Sequence, residues 1–320
     1  MGTDSKSGGL RLLTAAVSAA VGIGLTVTAA QPAAASADYP VNYDFATGVL
    51  AGALTPTVPP AGADNWSCKP SAAHPYPVVL VNGTFGNMSD NWAGASPLLA
   101  GNGYCVFAFN YGGVSPTSIL QGTGDIATSA GQLSAFVDQV LAATGTAKVD
   151  LVGHSQGGMM PRYYIKDLGG AAKVDKLVAL APSNNGTTLD GITELGIQLD
   201  LIDPINGLLS GPCEACVEQE QGSAFLTALN AGGETVPGVQ YTVIESKDDE
   251  VVTPYTSAFL PTAANVNNIL LQNQCTLDAT DHLEIAADPI ALTDVLNALD
   301  PAHPRSVPCE VVLPVTGPLF

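Results

Sequence analysis

The sequence predicts an α/β fold in which a mostly parallel central sheet is covered by helices on both faces. Short apolar runs alternate along the chain with stretches of helical periodicity, a pattern typical of strands joined by crossover helices. Several runs are apolar at nearly every position, as expected for strands that are buried on both sides. The predicted strands are residues 77–81, 105–109, 149–152, 174–180, 239–244 and 266–271.

Two helices are predicted with defined ends. Apolar residues recur at helical spacing over residues 126–141, and Gly145 supplies a stop signal. Asp288 is a candidate N-cap that is followed by Pro289 at the first helical position. Apolar residues between 292 and 299 then form one stripe, which predicts a terminal helix packed on the sheet.

The N-terminal segment, residues 1–37, is predicted to be a secretory signal peptide. Lys6 and Arg11 precede an apolar run over about residues 12–30, and residues 35–37 read as a small-x-small cleavage site. We therefore expect export and an extracellular location for the mature protein.

A membrane anchor is the alternative interpretation of the same segment. Gly22 and Gly24 interrupt the apolar run and no stop-transfer charges follow it, so we expect cleavage and no stable membrane anchor. Residues 38–320 are predicted to form a single domain. Its first part, residues 38–76, is rich in Ala, Pro and Asp and is predicted to be an extended lead-in.

The charge balance excludes some classes of partner. The 320 residues include 29 acidic and 10 basic ones, which gives a formal net charge of -19. A nucleic-acid binder needs a basic surface to displace counterions, so no nucleic-acid partner is expected. Docking on anionic lipid is disfavoured for the same reason. With 46% hydrophobic residues the chain can build a substantial core.

The cysteines are expected to form disulfides, because export leads to an oxidising compartment. A metal site at Cys213 and Cys216 is the weaker alternative, since no second Cys/His pair has matching spacing. A structural calcium ion is an open alternative among so many carboxylates, but no loop has the ligand spacing of an EF-hand, and we predict no metal and no cofactor. The simplest pairing is sequential: Cys68 with Cys105, Cys213 with Cys216, and Cys275 with Cys309.

The candidate nucleophile is Ser155, at the centre of a G-x-S-x-G match over residues 153–157. A predicted strand leads into the motif and a helical stretch follows it, which is the context of a nucleophile elbow. Side chains at the flanking glycines would clash with neighbouring backbone, and Ser155 is expected in a strained conformation with its hydroxyl exposed. A glycine-rich turn with an incidental serine is the alternative.

A serine nucleophile needs a base, and the chain has only 4 histidines. His154 belongs to the elbow and is expected to point away from Ser155, and His74 precedes the first strand. His303 lies in a tail where solvent exposure is expected. His282 lies in a loop before the terminal helix, and the chain order Ser, acid, His favours it as the base.

The acid and the oxyanion hole are expected at strand ends. The strand over residues 239–244 runs into an acidic turn with three adjacent candidates, Asp248, Asp249 and Glu250, and position alone does not choose between them. The first strand ends in a glycine-rich segment, residues 82–86. Its glycines are expected to let the backbone turn, so that the N–H groups of Thr84 and Gln156 form the oxyanion hole. The alternative is an ordinary glycine-rich strand end.

Three runs, residues 148–164, 180–188 and 249–255, resemble the secreted actinobacterial class 2 triacylglycerol lipases. These are relatives of the small Bacillus lipases and, more distantly, of Candida antarctica lipase B. The likeness covers most of residues 65–300 and its three motifs together are specific. It implies an α/β-hydrolase fold and cleavage of carboxylic esters without a cofactor.

The resemblance also implies residue roles. In the family the residue before Glu-Val-Val is the catalytic aspartate, which is Asp249 here, and Asp248 stands where relatives commonly have Tyr. The family's Gly-Thr pair corresponds to Gly83 and Thr84, and its Ser-Gln pair corresponds to Ser155 and Gln156. A detailed likeness to lipase B would add the Thr84 hydroxyl as a third oxyanion donor.

The expected function is that of a secreted serine ester hydrolase, first of all a triacylglycerol lipase that forms an acyl-enzyme on Ser155. We expect a monomer acting on a neutral lipid or ester, at a lipid–water interface. A short-chain carboxylesterase or polyester hydrolase is the alternative enzyme, and a non-catalytic binding protein with this fold is the alternative class. Residues 189–232 form an apolar excursion that favours apolar substrates, because it could be part of an acyl-binding wall or a mobile lid. Ordinary core packing is the alternative interpretation of these residues.

Overall fold

A computed structural model describes residues 1–2, 39–52, 54–188, 191 and 213–319. The chain divides into two compact units, residues 1–35 and 36–320, and the fold below is that of the second unit. The predicted signal peptide lies outside the described residues apart from its first two. Within the described residues no helix is long and apolar enough to cross a membrane.

The second unit is built on a 6-stranded sheet with the order β2-β1-β3-β4-β5-β6. Every neighbouring pair in this sheet is parallel. The predicted sheet is confirmed, and each predicted strand is present with its ends moved by at most two residues. The strands are β1 Val78–Val81, β2 Val106–Ala108, β3 Val149–His154, β4 Val174–Leu180, β5 Gln240–Glu245 and β6 Val266–Leu270; β7 Val312–Leu313 and β8 Gly317–Pro318 form a separate antiparallel pair.

The helices begin and end at recognisable caps. Both predicted helices are confirmed: one ends at Gly145, whose φ is 78°, and the other begins after Asp288, which accepts the N–H of Ile290 at 2.8 Å. The helices are α1 Phe45–Gly52, α2 Met88–Asn91, α3 Ala95–Gly101, α4 Ile126–Thr144, α5 Gln156–Asp167, α6 Glu214–Glu218, α7 Ala224–Asn230, α8 Leu271–Gln274 and α9 Pro289–Leu299.

The lead-in is not extended throughout, so that prediction is wrong for residues 45–52, which form α1. Asp44 starts the helix because its Oδ1 accepts the N–H of Thr47 at 2.9 Å. Phe45 and Val49 lie on one face of the helix and pack in a cluster with Leu283. The helix is therefore stabilised by burial against a segment far along the chain, which local composition does not reveal.

The core lies on both faces of the sheet, because successive residues of a strand point to opposite sides. Val79 and Val81 belong to a cluster that includes apolar side chains of α4 and α5. Val78 and Leu80 belong to a second cluster with side chains of α3 and α9. This double burial leaves the carboxyl ends of the strands as the place where loops can form a site.

The three sequential cysteine pairs form disulfides, Cys68–Cys105, Cys213–Cys216 and Cys275–Cys309. The second pair closes the first turn of α6. The described part of the apolar excursion, residues 213–232, contains α6 and α7. Residues 189–190 and 192–212, where a lid or acyl-binding wall was predicted, lie outside the described residues.

Candidate active site

Ser155 occupies a sharp turn between β3, which ends at His154, and α5, which begins at Gln156. Its φ of 55° and ψ of -124° are unfavourable for a residue with a side chain. A Cβ at Gly153 would lie 1.8 Å from the carbonyl oxygen of Gly157, a contact that no side chain can make. The predicted strain at Ser155 and the predicted close approach at the flanking glycines are confirmed, whereas the predicted exposure is not, because Ser155 is only 4% exposed.

Asp249 and His282 meet beyond the carboxyl end of β5. The Nδ1–H of His282 donates to Oδ2 of Asp249 at 2.8 Å, and both side chains have an exposed fraction of 0%. Oδ1 of Asp249 accepts the N–H groups of Val251 and Val252 at 2.8 and 2.7 Å. Of the three adjacent acidic candidates, Asp249 is thus the one that orients the His282 ring. The neighbouring Asp248 is exposed to solvent.

The second ring nitrogen of His282 faces the other way. Because Nδ1 carries the proton that binds Asp249, Nε2 holds a lone pair, and it is buried without a hydrogen-bond partner among the described residues. Burial lowers the pKa of His282, but the Asp249 carboxylate and its hydrogen bond offset this, so the net shift is upward from the ordinary value. The ring is therefore a stronger base than an isolated histidine.

His154 has a role that the sequence did not indicate. Its Nε2–H donates to the backbone carbonyl of His282 at 2.9 Å, and the two rings lie 5.1 Å apart. Burial, together with the nearby His282, lowers the pKa of His154 to about 3, so the ring is neutral. Its Nδ1 accepts the amide N–H of Asn91 at 3.1 Å, and Asn91 in turn accepts the N–H of Gly83 at 2.8 Å. The elbow is thus linked to the loop of the base and to the segment after β1.

The segment after β1 turns in a different way from the prediction. The left-handed residue is Phe85, with a φ of 68°, whereas Gly83 and Gly86 keep ordinary φ values. Gly83 is required for proximity instead, because a Cβ there would lie 3.1 Å from the Cβ of Ser155. The backbone before Thr84 therefore passes directly beside the nucleophile.

The Thr84 hydroxyl is held by two amide side chains. Its Oγ1 accepts hydrogen bonds from Nε2 of Gln156 at 3.1 Å and from Nε2 of Gln219 at 2.8 Å. Each amide nitrogen also donates to a backbone carbonyl, that of Gly122 or of Ala215, which fixes which end of the amide is nitrogen. With both lone pairs of Oγ1 used, the hydroxyl hydrogen is left to donate elsewhere.

Gln219 lies just after α6 and was not predicted, because nothing in the sequence marks a glutamine whose partner is far along the chain.

The other two histidines lie apart: His74 stacks on Tyr104, and the His303 side chain is 83% exposed. Among the described residues no group of three or more His, Cys, Asp or Glu could hold a metal ion. The pocket beside Ser155 is lined by Thr84, Ser183, Thr187, Cys216, Gln219, Val251 and Val252.

This sheet, with a serine elbow and an Asp–His pair beyond its strands, defines an α/β-hydrolase fold. Lipase B of Aspergillus fumigatus superposes with a TM-score of 0.60 at 21% identity, over 78% of this chain and 56% of that one. A mature Bacillus licheniformis lipase gives a TM-score of 0.51 at 16% identity, over 72% of this chain and 94% of that one. At such identities the likeness shows the fold alone.

The chain belongs to the class 2 lipase family, whose model matches residues 75–291. A triacylglycerol lipase of Burkholderia plantarii is 41% identical over 132 residues, which are 38% of this chain and 34% of that protein. One of Pseudarthrobacter phenanthrenivorans is 43% identical over 97 residues, 29% of this chain and 28% of that protein. The chain thus spans about a third of the length of these curated relatives. The predicted family is confirmed.

Proposed function

We propose that this protein is a secreted serine ester hydrolase, specifically a triacylglycerol lipase. The observation that carries the proposal is the buried pair of Asp249 and His282, which leaves Nε2 of the imidazole free to accept a proton. In this proposal Ser155 is the nucleophile, His282 the general base and acid, and Asp249 the residue that orients the ring. A catalytic hydrogen bond between Ser155 and His282 is expected to form when substrate is bound.

The proposed reaction has two steps. Oγ of Ser155 attacks the ester carbonyl carbon while Nε2 of His282 takes the hydroxyl proton, and Asp249 stabilises the resulting imidazolium. The carbon–oxygen bond to the alcohol then breaks, and His282 gives its proton to the departing alcohol. Water attacks the acyl-enzyme with His282 as base, which releases the carboxylic acid and restores Ser155.

The negative charge of each tetrahedral intermediate is proposed to be bound by three donors. Two are the backbone N–H groups of Thr84 and Gln156, of which the latter is the first residue of α5 and adds the favourable dipole of the helix N-terminus. The third is the Thr84 hydroxyl, whose lone pairs are occupied by Gln156 and Gln219. A hydroxyl that can only donate is well suited to an oxyanion.

A neutral lipid is the proposed substrate. Family membership and the names of the curated relatives, triacylglycerol lipases, support this choice. The net charge of -19 fits an uncharged ester better than an anionic one. The three disulfides are compatible with secretion after cleavage near residue 37. We further propose that the enzyme acts as a monomer at a lipid–water interface.

A chain-length series of p-nitrophenyl esters, run beside a triolein emulsion, tests the function. We expect hydrolysis of long-chain esters and of the emulsion, and its loss in Ser155→Ala with folding intact. His282→Ala should lose activity as well, whereas His303→Ala, which changes an exposed histidine, is the matched control and should keep it. Activity that peaks on acetate and is absent on triolein would replace the lipase by a short-chain esterase. Failure of Ser155 to react with a fluorophosphonate would favour a non-catalytic protein.

A further inference from the structure

Glu245, the last residue of β5, is buried directly behind the proposed triad, with an exposed fraction of 0%. Its Oε1 accepts the N–H of Ser246 at 2.7 Å. Its Oε2 is also buried, and no described group donates a hydrogen bond to it. An ionised carboxylate with one oxygen so poorly solvated would be strongly destabilised.

Asp249 faces Glu245, and the two carboxyl groups lie close enough to share a hydrogen bond if one of them is protonated. Glu250 also faces Glu245, and it is again acidic. No ion pair in the described part of the chain involves Glu245, and Lys247 is exposed to solvent. His282 is the partner of Asp249 alone, and while its imidazole is neutral the two buried carboxyl groups in contact cannot both be ionised, so the pair shares a proton.

The hydrogen bonds decide which member of the pair holds that proton. Asp249 accepts the N–H groups of Val251 and Val252 as well as the Nδ1–H of His282. Glu245 accepts one N–H only, that of Ser246. Because donated hydrogen bonds stabilise the anion, the charge lies on Asp249 and the proton on Glu245. Burial and the charge of Asp249 raise the pKa of Glu245 well above its usual range.

We propose that Glu245 is a positioning residue for the reaction: a neutral carboxylic acid that donates a hydrogen bond from Oε2–H to the Asp249 carboxylate. This inference rests on the proposed function, because Glu245 acts on the ester only through Asp249 and His282. The added donor shares part of the Asp249 charge and so weakens the attraction between Asp249 and the imidazolium. His282 is then less basic than it would be beside an Asp249 without this donor, and the enzyme is active at lower pH.

Two variants of Glu245 separate this role from a merely structural one. In Glu245→Gln an amide N–H can replace the O–H donor, so the acid limb of the kcat/KM profile should stay where it is in the unaltered protein. Glu245→Leu has no donor, and its acid limb should move to higher pH by about 0.5 to 1 unit, the equivalent of one neutral hydrogen bond. An unmoved limb in Glu245→Leu would overturn the positioning role.

Asp294→Leu is the matched control for loss of a buried carboxyl group. Asp294 lies on α9, is 3% exposed, and accepts a hydrogen bond from Nε2 of Gln274 at 3.3 Å. It lines a groove with Lys176 and Gln240, at the amino ends of β4 and β5, away from the triad. We expect this variant to lose stability without any change in the acid limb. A limb that moves equally in Asp294→Leu and Glu245→Leu would show a general effect of unfolding and refute the proposal.

Thermal unfolding tests the shared proton without any need for ester hydrolysis. A carboxyl group with a raised pKa contributes stability that is present below its unfolded pKa and is lost as pH rises toward the folded pKa. Glu245→Gln has no such proton, so its Tm relative to the unaltered protein should increase between pH 5 and pH 8, by about 2 °C per pH unit. A constant difference would mean that Glu245 is ionised in the folded protein and would overturn the inference. If the unaltered protein hydrolyses no ester, the positioning role is refuted along with the proposed function. The Tm comparison still shows whether Glu245 is protonated in the folded protein.

Discussion

Replacement of Thr84 by Val tests whether a side-chain hydroxyl, in addition to backbone, binds the oxyanion. The substitution keeps the shape of the side chain and the backbone N–H, and it removes only the hydroxyl. Gln156 and Gln219 each lose one acceptor, but their amide nitrogens keep the carbonyl partners at 2.9 and 3.1 Å. The fold should therefore survive with a loss of about 1–3 kcal/mol for the unsatisfied amide hydrogens.

The effect on the reaction should be much larger than this effect on stability. Loss of one preorganised oxyanion donor lowers kcat by about 100- to 1000-fold, or roughly 2.7–4 kcal/mol. KM should change little, because the hydroxyl is proposed to bind the transition state more strongly than the ground state. Thr84→Ser retains the hydroxyl and is the control, with kcat expected within about threefold of the unaltered protein because the donor remains.

Gln219 should act through this hydroxyl alone, and a double-mutant cycle can measure that dependence. Gln219→Leu frees one lone pair of Thr84 Oγ1, lets the hydroxyl hydrogen turn away, and should lower kcat about tenfold, the value of one ordinary hydrogen bond. In the Thr84→Val background the same substitution should cost nothing further. The assay is steady-state hydrolysis of p-nitrophenyl butyrate by all four proteins. Additive losses in the cycle, or a Thr84→Val enzyme with normal kcat, would refute the assignment of the third donor.

Three further predictions follow from the contacts of the site. His154→Phe removes the N–H that donates to the carbonyl of His282. Because a buried carbonyl left unpaired costs about 1–3 kcal/mol, fluorophosphonate labelling of Ser155 should slow about tenfold. An unchanged labelling rate would mean that this contact does not position the base. Gly157→Ala places a Cβ 2.0 Å from the carbonyl oxygen of Val81 and should lower the unfolding free energy by more than about 4 kcal/mol in denaturant titrations. Gly131→Ala on α4, where an added Cβ meets no atom within 4 Å, is the control and should be neutral or stabilising. Because the pKa of His282 is raised from 6.5, kcat/KM should rise with pH as the imidazole deprotonates and should reach half of its plateau at a pH above 6.5. The stability contributed by the Asp249–His282 pair should decline over the same window, since a histidine with a raised pKa loses its contribution as it deprotonates. A Tm that rises with pH through this window only in the unaltered protein and not in Asp249→Asn would contradict the sign.

The sequence predicted those features that are encoded locally. Strands such as β1, apolar at every position, can only be buried on both faces, and α4 and α9 carry their own stop and start signals. The elbow at Ser155 was recognisable because two glycines, a strand and a helix lie within one short segment. The choice of Asp249 needed the family resemblance, because three adjacent carboxyls in a turn differ only in which one contacts His282.

The features that were missed depend on contacts between distant segments. The helix α1 forms because Phe45 and Val49 are buried against Leu283, which lies beyond the last strand of the central sheet. His154 occupies the variable position of the G-x-S-x-G motif. Its role follows from a hydrogen bond to the backbone carbonyl of His282, a contact between distant parts of the chain that forms only on folding. The left-handed residue after β1 is Phe85 rather than a glycine, and Gly83 is needed instead for its close approach to Ser155.

The buried carboxyl groups change how the acidic composition bears on the reaction. The formal charge of -19 counts every Asp and Glu as ionised. Burial raises the pKa of Glu284 to about 9, and burial together with Asp249 raises that of Glu245, so both are neutral near pH 7. Asp249 makes the largest charge contribution at His282, followed by Glu250 and Asp281, while ionised groups on the exposed surface are screened by solvent. An acid-rich chain can in this way limit the negative charge in its interior, because Glu245 and Glu284 stay neutral instead of adding to it.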